Sequence, residues 1–297
     1  MTQIRDLIWQ TVQKYFRDRV PRMAAALAYY TAFSIAPLSV IVTAVAGFFI
    51  GEETATGAIA SQIEDAIGPQ AANFVENAIR NVGALEGSWF SASVSIGVLI
   101  FGATIVFLQL QDALNKVWDV PVEERGEGLR SIVLKRVISF GMVLASGFLL
   151  LVSLVISSLL SAFGKFLETL VPASGLLMQA INQTVALVVV AGLFALIYRY
   201  LPDKQIRWHE VWPGAIVTGV LFTIGKYLLG LYLGMAAPTS IYGAAGSFAV
   251  ILLWVYYTAQ IVLFGAAFAY VYADQREQNQ SEPRLQHQLP NEQRGEA

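Results

Sequence analysis

The sequence predicts an all-α, polytopic membrane protein: six transmembrane helices, with a short helical hairpin outside the membrane between the first and the second. Three observations lead there. Of 297 residues, 56% are hydrophobic and 13% charged, and the mean hydropathy is +0.58, a balance that soluble domains do not have. Six stretches, at about 23 to 50, 91 to 111, 136 to 162, 179 to 201, 214 to 236 and 247 to 273, reach the roughly 20 apolar residues needed to cross about 30 Å of hydrocarbon. The third observation is the sorting of Lys and Arg.

Five bases precede the first span (Arg5, Lys14, Arg17, Arg19, Arg22), and five follow the second (Lys116, Arg125, Arg130, Lys135, Arg136). Three follow the fourth span (Arg199, Lys204, Arg207) and three lie in the tail (Arg276, Arg284, Arg294), so 16 of the 19 share one side. The other side has Arg80 and Lys165, and Lys226 falls inside the fifth span. Cytoplasmic loops retain Lys and Arg, so both termini are expected in the cytoplasm.

Residues 1–273 are read as one membrane domain. Within residues 1–22, Ile4, Ile8, Val12 and Phe16 share a helical face, with Arg5 and Lys14 at polar positions. Such a helix can lie in the cytoplasmic interface or pack on the ends of the bundle. The apolar run behind it exceeds the 7 to 15 residues of a signal-peptide core, so the first span is expected to be retained. In that span, Tyr29 and Tyr30 stand seven and eight residues after Arg22, about 10–12 Å into the membrane, below the belt where tyrosines usually sit. Pro37 removes a backbone donor and permits a kink.

Residues 52–90 form an external segment with six carboxylates against Arg80. Ile59, Ile63 and Ile67 share one face, as do Val75, Ile79 and Val82, and Gly68 with Pro69 supplies a turn between them. A helical hairpin is expected. The tail at 274–297 is rich in Gln, Glu, Asn and Arg with little to bury, which predicts disorder.

Lys226 follows Pro213 by 13 residues, about 20 Å along the helix and past the midplane if that helix is upright. A lysine there costs roughly 2.5–3.5 kcal/mol. No carboxylate falls within the middle of a span, since Asp112 and Asp274 lie at span ends. Three accounts stay open: snorkelling to the outer interface, hydrogen bonds to Tyr, Gln or carbonyl oxygens, or contact with an anionic ligand. Gln260 is a further polar group inside a span. Gly230 and Gly234 form a GxxxG spacing on the fifth span, with Gly219 and Gly225 nearby, which predicts close helix packing.

Four stretches resemble the YihY and BrkB family of bacterial inner-membrane proteins, historically labelled ribonuclease BN. They are RMAAALAYYTAFSIAPL at 22–38, LQLQDALNKVWDV at 108–120, IYRYLPDKQIRWHEVWPGA at 197–215 and IYGAAGSFAVILLWVYYTAQIVLFGA at 241–266. The resemblance covers nearly the whole chain to about residue 273. It implies six helices, cytoplasmic termini, the bacterial inner membrane and a role in envelope-lipid export or other transport, without a settled biochemical activity. Relatives often carry a glutamate after Gly-Ala in the last helix, where this chain has Ala267 after Gly265 and Ala266.

Several function classes lose support. There is no cysteine, so no disulfide or thiolate metal site is available. A net charge of -2 gives no global field for nucleic acid. Metal-assisted phosphodiester cleavage needs clustered ligands, and the two histidines, His209 and His287, stand in no such motif. The expectation is no enzyme, no cofactor and no metal. A transporter or flippase of an anionic amphiphile would use Arg22, Tyr29, Tyr30, Lys226 and Gln260 along its path, with membrane lipids as partners. A scaffold or a small-solute transporter is the alternative.

Overall fold

The computed structural model describes residues 2–67, 69–83, 105–121, 175–236 and 239–288, and among these every regular element is a helix. In chain order they are α1 (Thr2–Arg17), α2 (Val20–Ile50), α3 (Glu52–Ile67), α4 (Pro69–Gly83), α5 (105–117), α6 (Gly175–Tyr200), α7 (Trp208–Ala236) and α8 (Thr239–Gln288). Helix α8 is the hub: α1, α2 and α7 all pack along it, and α6 packs on α7.

Among the described residues, three helices are long and apolar enough to cross a membrane: α6 over Gln183–Tyr200, α7 over Trp208–Leu229 and α8 over Phe248–Gln278. They overlap the last three expected spans, the α7 run beginning six residues earlier than expected and ending seven earlier. The first expected span lies within α2, whose helical backbone runs through Pro37. Of the second span only 105–111 is described, and the third, 136–162, lies outside the described residues.

Helix α2 stops at Gly51, whose φ of 86° only glycine adopts freely. The acidic first turn of α3, Glu52 and Glu53, then meets the positive end of its own helix dipole. Helices α3 and α4 pack on each other and on α2. Ala55, Ala72, Val75 and Ile79 are buried there and Ile59 and Ile63 half-buried, while the side chains of Ile67 and Val82 lie outside the described residues.

The main core lies near the α1 end of the bundle and is rich in small side chains, among them Ala24, Ala113, Ala195, Ala215, Ala266 and Ala269. Small residues let helix backbones approach where lipid removes the usual hydrophobic drive. Ala267 is fully buried in this core. Helices α7 and α8 approach closely: a Cβ on Gly214 would meet the Gly265 carbonyl oxygen and stand 2.6 Å from Ala269 Cβ. The glycine signal on α7 is borne by other members of the set. A Cβ on Gly219 would lie 3.3 Å from Ala191 on α6, and one on Gly225 would collide with the Tyr257 hydroxyl on α8. What surrounds Gly230 and Gly234 lies outside the described side chains.

Residues 274–288, which composition predicts to be disordered, continue α8 as helix to Gln288. Gln, Glu and Arg are good helix formers, Gln278 donates to Asp274 one turn back at 2.9 Å, and Gln275 donates to Gln10 of α1 at 2.9 Å. At 50 residues, α8 is about 75 Å long, far more than the hydrocarbon needs.

Candidate functional site

Charged and polar side chains converge where α1, the end of α5 and α8 meet. Lys14, placed by sequence on a polar surface, is only 3% exposed. Its Nζ stands 2.9 Å from Asp18 Oδ2 one turn along α1, donates to Asp119 Oδ2 at 3.0 Å, and lies 3.9 Å above the Tyr270 ring. Arg17 donates to Asp18 Oδ1 at 3.3 Å and comes within 3.8 Å of Asp119. The Lys14–Asp18 contact is an ion pair without hydrogen-bond direction, so Asp18 Oδ2 keeps spare acceptor capacity.

Two backbone outliers flank this cluster. Helix α5 ends with the Val120 amide bonded to the Asn115 carbonyl and the Asp119 amide to that of Lys116, a Schellman ending whose left-handed position is normally glycine. Here Asp119 holds it at φ 49°, and Arg19 holds φ 58° at the corner between α1 and α2. These are the two non-glycine residues with positive φ among the described residues. Each costs about 1–2 kcal/mol, and such conformations persist where surrounding structure holds them. The Asp119 carboxylate supplies the hold. Burial works to raise it, but hydrogen bonds from Lys14 and Tyr270 and the charges of Lys14 and Arg17 win, keeping it below the ordinary carboxylate range.

Polar ties extend the junction. Tyr15 donates to Gln260 Oε1 at 2.7 Å, which fixes α1 to α8. From α5, Gln111 and Asn115 donate to the two carboxylate oxygens of Asp203 at 3.1 and 2.8 Å, and the Asp203 amide returns a bond to Asn115 Oδ1 at 2.8 Å. Buried Tyr198 donates to the Val262 carbonyl at 2.6 Å and shares a 2.7 Å bond with Thr218, joining α6, α7 and α8. The α6–α7 turn leads into α7 through a reciprocal cap, Glu210 Oε2 accepting from the Arg207 amide at 2.9 Å.

The residues that sequence reasoning singled out are distributed differently. Gln260 is taken up by Tyr15. Arg22, Tyr29 and Tyr30 lie on the outer surface of α2, the two tyrosines 57% and 37% exposed. Their rings touch, with centroids 5.6 Å apart, and Tyr29 also meets Phe33 at 4.9 Å. Lys226 is half-buried. Its neighbour Tyr227 reaches Gln183 Oε1 at 3.4 Å, and Gln183 is where the apolar run of α6 begins. Lys226 therefore sits level with one edge of that run. Among the described residues, no hydrogen bond or ion pair joins Arg22, Tyr29, Lys226 and Gln260 to one another.

Sequence reasoning missed Lys14, Asp18, Asp119, Asn115 and Asp203. A signal existed: Thr11, Lys14 and Asp18 share a helical face, and Gln111, Asn115, Asp119, Tyr198, Asp203, Gly214, Gln260 and Gly265 all fall within the stretches at 108–120, 197–215 and 241–266. The arrangement offers ion pairing and interhelical hydrogen bonding. No group of three or more His, Asp or Glu able to hold a metal occurs among the described residues.

These features define a helical membrane protein whose bundle is tied at one end by an internal polar junction. A sequence model of the family described as virulence factor BrkB matches residues 11–289, and the chain belongs to that family. Among curated relatives, a UPF0761 membrane protein of Verminephrobacter eiseniae (strain EF01-2) is 27% identical over 264 residues, covering 86% of this chain and 60% of the relative. UPF0761 membrane proteins of Stenotrophomonas maltophilia (strain K279a) and Xanthomonas campestris pv. campestris (strain B100) are 26% and 27% identical over 258 residues, covering 86% of this chain and 58% of each relative. The chain thus spans about three-fifths of the length of these relatives. No solved structure matches.

Proposed function

We propose that the protein is a six-span inner-membrane transporter or flippase of an anionic amphiphile such as an envelope phospholipid, with both termini in the cytoplasm. One observation carries the reading. Arg22, Ala25, Tyr29 and Phe33, at i, i+3, i+7 and i+11, form an exposed stripe on α2 with Tyr30 beside it. Neither phenol has a hydrogen-bond partner among the described residues. A guanidinium at the rim followed by two hydroxyls some 10 Å deeper complements a phosphate headgroup and the polar linkage below it. Arg binds phosphate bidentately, and an unpaired hydroxyl at that depth gains from any acceptor that enters.

The Lys14 junction closes the same end of the bundle and would have to hold or yield as cargo passes. The reading assigns no catalytic residue, cofactor or nucleic-acid partner.

The test is reconstitution in liposomes containing a fluorescent phosphatidylglycerol, with dithionite reading leaflet exchange. Exchange should exceed that of empty liposomes and fall in Arg22→Gln and in the Tyr29→Phe/Tyr30→Phe pair. Folded protein that moves no anionic phospholipid would sink the proposal and leave the scaffold reading.

A further inference from the structure

Helix α1 is inside out by the standards of a soluble protein. The side it turns to the bundle is polar: Thr11, Lys14 and Asp18 are buried, with Tyr15 half-buried. The side turned away is apolar, with Ile8, Trp9 and Phe16 exposed at 48%, 62% and 65% and Val12 half-buried between them. At 100° per residue these four occupy an arc of about 100°. A third sector, Asp6, Gln10, Gln13 and Arg17, is polar and exposed. A helix with one side satisfied by protein, one by water and one by neither needs an apolar medium along the last.

The contacts to α8 set its depth. Gln10 bonds to Gln275, Lys14 covers Tyr270, and Tyr15 meets Phe264 and Gln260, so α1 runs antiparallel to α8. The apolar run of α8 begins at Phe248, and about 20 residues exhaust the hydrocarbon, near residue 268. Lys14 is level with Tyr270, so Phe16, two residues on, is level with that edge. Gln10 lies about 10 Å further out, at headgroup depth, where Trp9 finds the belt that tryptophan prefers.

Charge points to the kind of leaflet. Lys14 and Arg17 are balanced by Asp18 and Asp119, and Arg5 stands 3.5 Å from Asp6. Arg19 and Arg22 remain exposed, with no acid in salt-bridge range among the described residues, and anionic lipid attracts such residues at about 1 kcal/mol each.

We propose that α1 is seated in an anionic leaflet: Ile8, Trp9, Val12 and Phe16 insert at the headgroup–acyl boundary, and the long side chain of Arg19, at the inner end of α1, reaches back outward to lipid phosphate. The lipid is here a structural support for α1, whether or not the protein moves lipid.

The chain has no cysteine, so single spin labels can be placed without background. Trp9→Cys, Phe16→Cys and Gln13→Cys in nanodiscs of phosphatidylethanolamine and phosphatidylglycerol should divide by collision partner. Labels at 9 and 16 should favour oxygen over a water-soluble nickel chelate, more strongly at 16, and the label at 13 should favour nickel. Nickel preference at 9 and 16 overturns the proposal, and so does protection from both reagents, which would mean a protein partner or second copy on this face. Replacing phosphatidylglycerol by phosphatidylcholine should weaken the oxygen preference at 9, and an unchanged value removes the anionic part. Without any label, bromolipid quenching of tryptophan should fall in Trp9→Phe relative to the unmodified protein, and equal quenching counts against insertion.

Discussion

Lys14 and Lys226 invite comparison because sequence alone ranks them in the wrong order. Lys226 interrupts an apolar span, while Lys14 stands in a short helix full of polar neighbours. In the fold, Lys14 is the enclosed cation, with two carboxylates and a ring around it. Lys226 is half-buried on a helix whose next residue pairs at the edge of an apolar run. Hydropathy reports the average environment of a segment. Whether an ammonium is enclosed depends on which distant acid the fold delivers, and Asp119 is 105 residues from Lys14.

The largest test of the contrast is Lys14→Met. It leaves the buried Asp18 and the exposed Asp119 without their main cation. Breaking a buried pair from one side costs about 3–5 kcal/mol, so unfolding in detergent should shift by several degrees or more. Adding Asp18→Leu and Asp119→Asn removes the stranded charges and should restore most of the loss. A Lys14→Met protein as stable as the unmodified chain would show that the junction is not a closed ion cluster.

Gly214→Ala probes the packing beside the junction. The new Cβ would press on the Gly265 carbonyl and on Ala269, one a backbone atom and the other a short side chain, so neither can swing away. Overpacking of this kind costs about 1–3 kcal/mol. Thermal unfolding in detergent is the measurement, and a neutral result would mean that α7 and α8 separate without penalty.

A smaller effect is expected from pH. The Asp119 carboxyl is held below its usual 3.8. A lowered carboxylate contributes stability that is complete above the unfolded value and is lost as pH falls through the folded one. The attachment of α1, read by a label distance between residues 13 and 278, should therefore be flat from pH 5 to 8 and loosen only below about pH 4. Loosening near pH 6 would mean that another group governs the junction.

Much of the architecture is legible because it rests on periodicity. Apolar runs mark α6, α7 and α8, and the 3.6-residue spacing of Val75 and Ile79 marks the buried face of α4. The junction is not, because its logic is pairwise. Thr11, Lys14 and Asp18 read as an ordinary solvated face until Asp119 arrives from another helix. Asp119 itself looks like a loop acid, since nothing local announces that it takes the left-handed position usually left to glycine. The tail misleads for a related reason: Gln275 looks unburied until Gln10 is beside it.

Lys226→Met sharpens the comparison from its weak side. If the ammonium reaches the interface, the substitution removes a solvated charge from a helix flank. Its effect on unfolding should then stay within about 0.5 kcal/mol, as for surface positions without special partners. A clear stabilisation would instead mean that the ammonium sits in hydrocarbon at the insertion cost of roughly 2.5–3.5 kcal/mol. The two readouts then separate position from role. Unchanged stability with unchanged phosphatidylglycerol exchange places Lys226 at the rim and off the path, leaving Arg22 and the Tyr29–Tyr30 pair to handle the anion. Unchanged stability with lost exchange would put a second anion-binding group about 27 Å from Trp208 along α7, and the path would then run along most of that helix's apolar stretch, Trp208–Leu229.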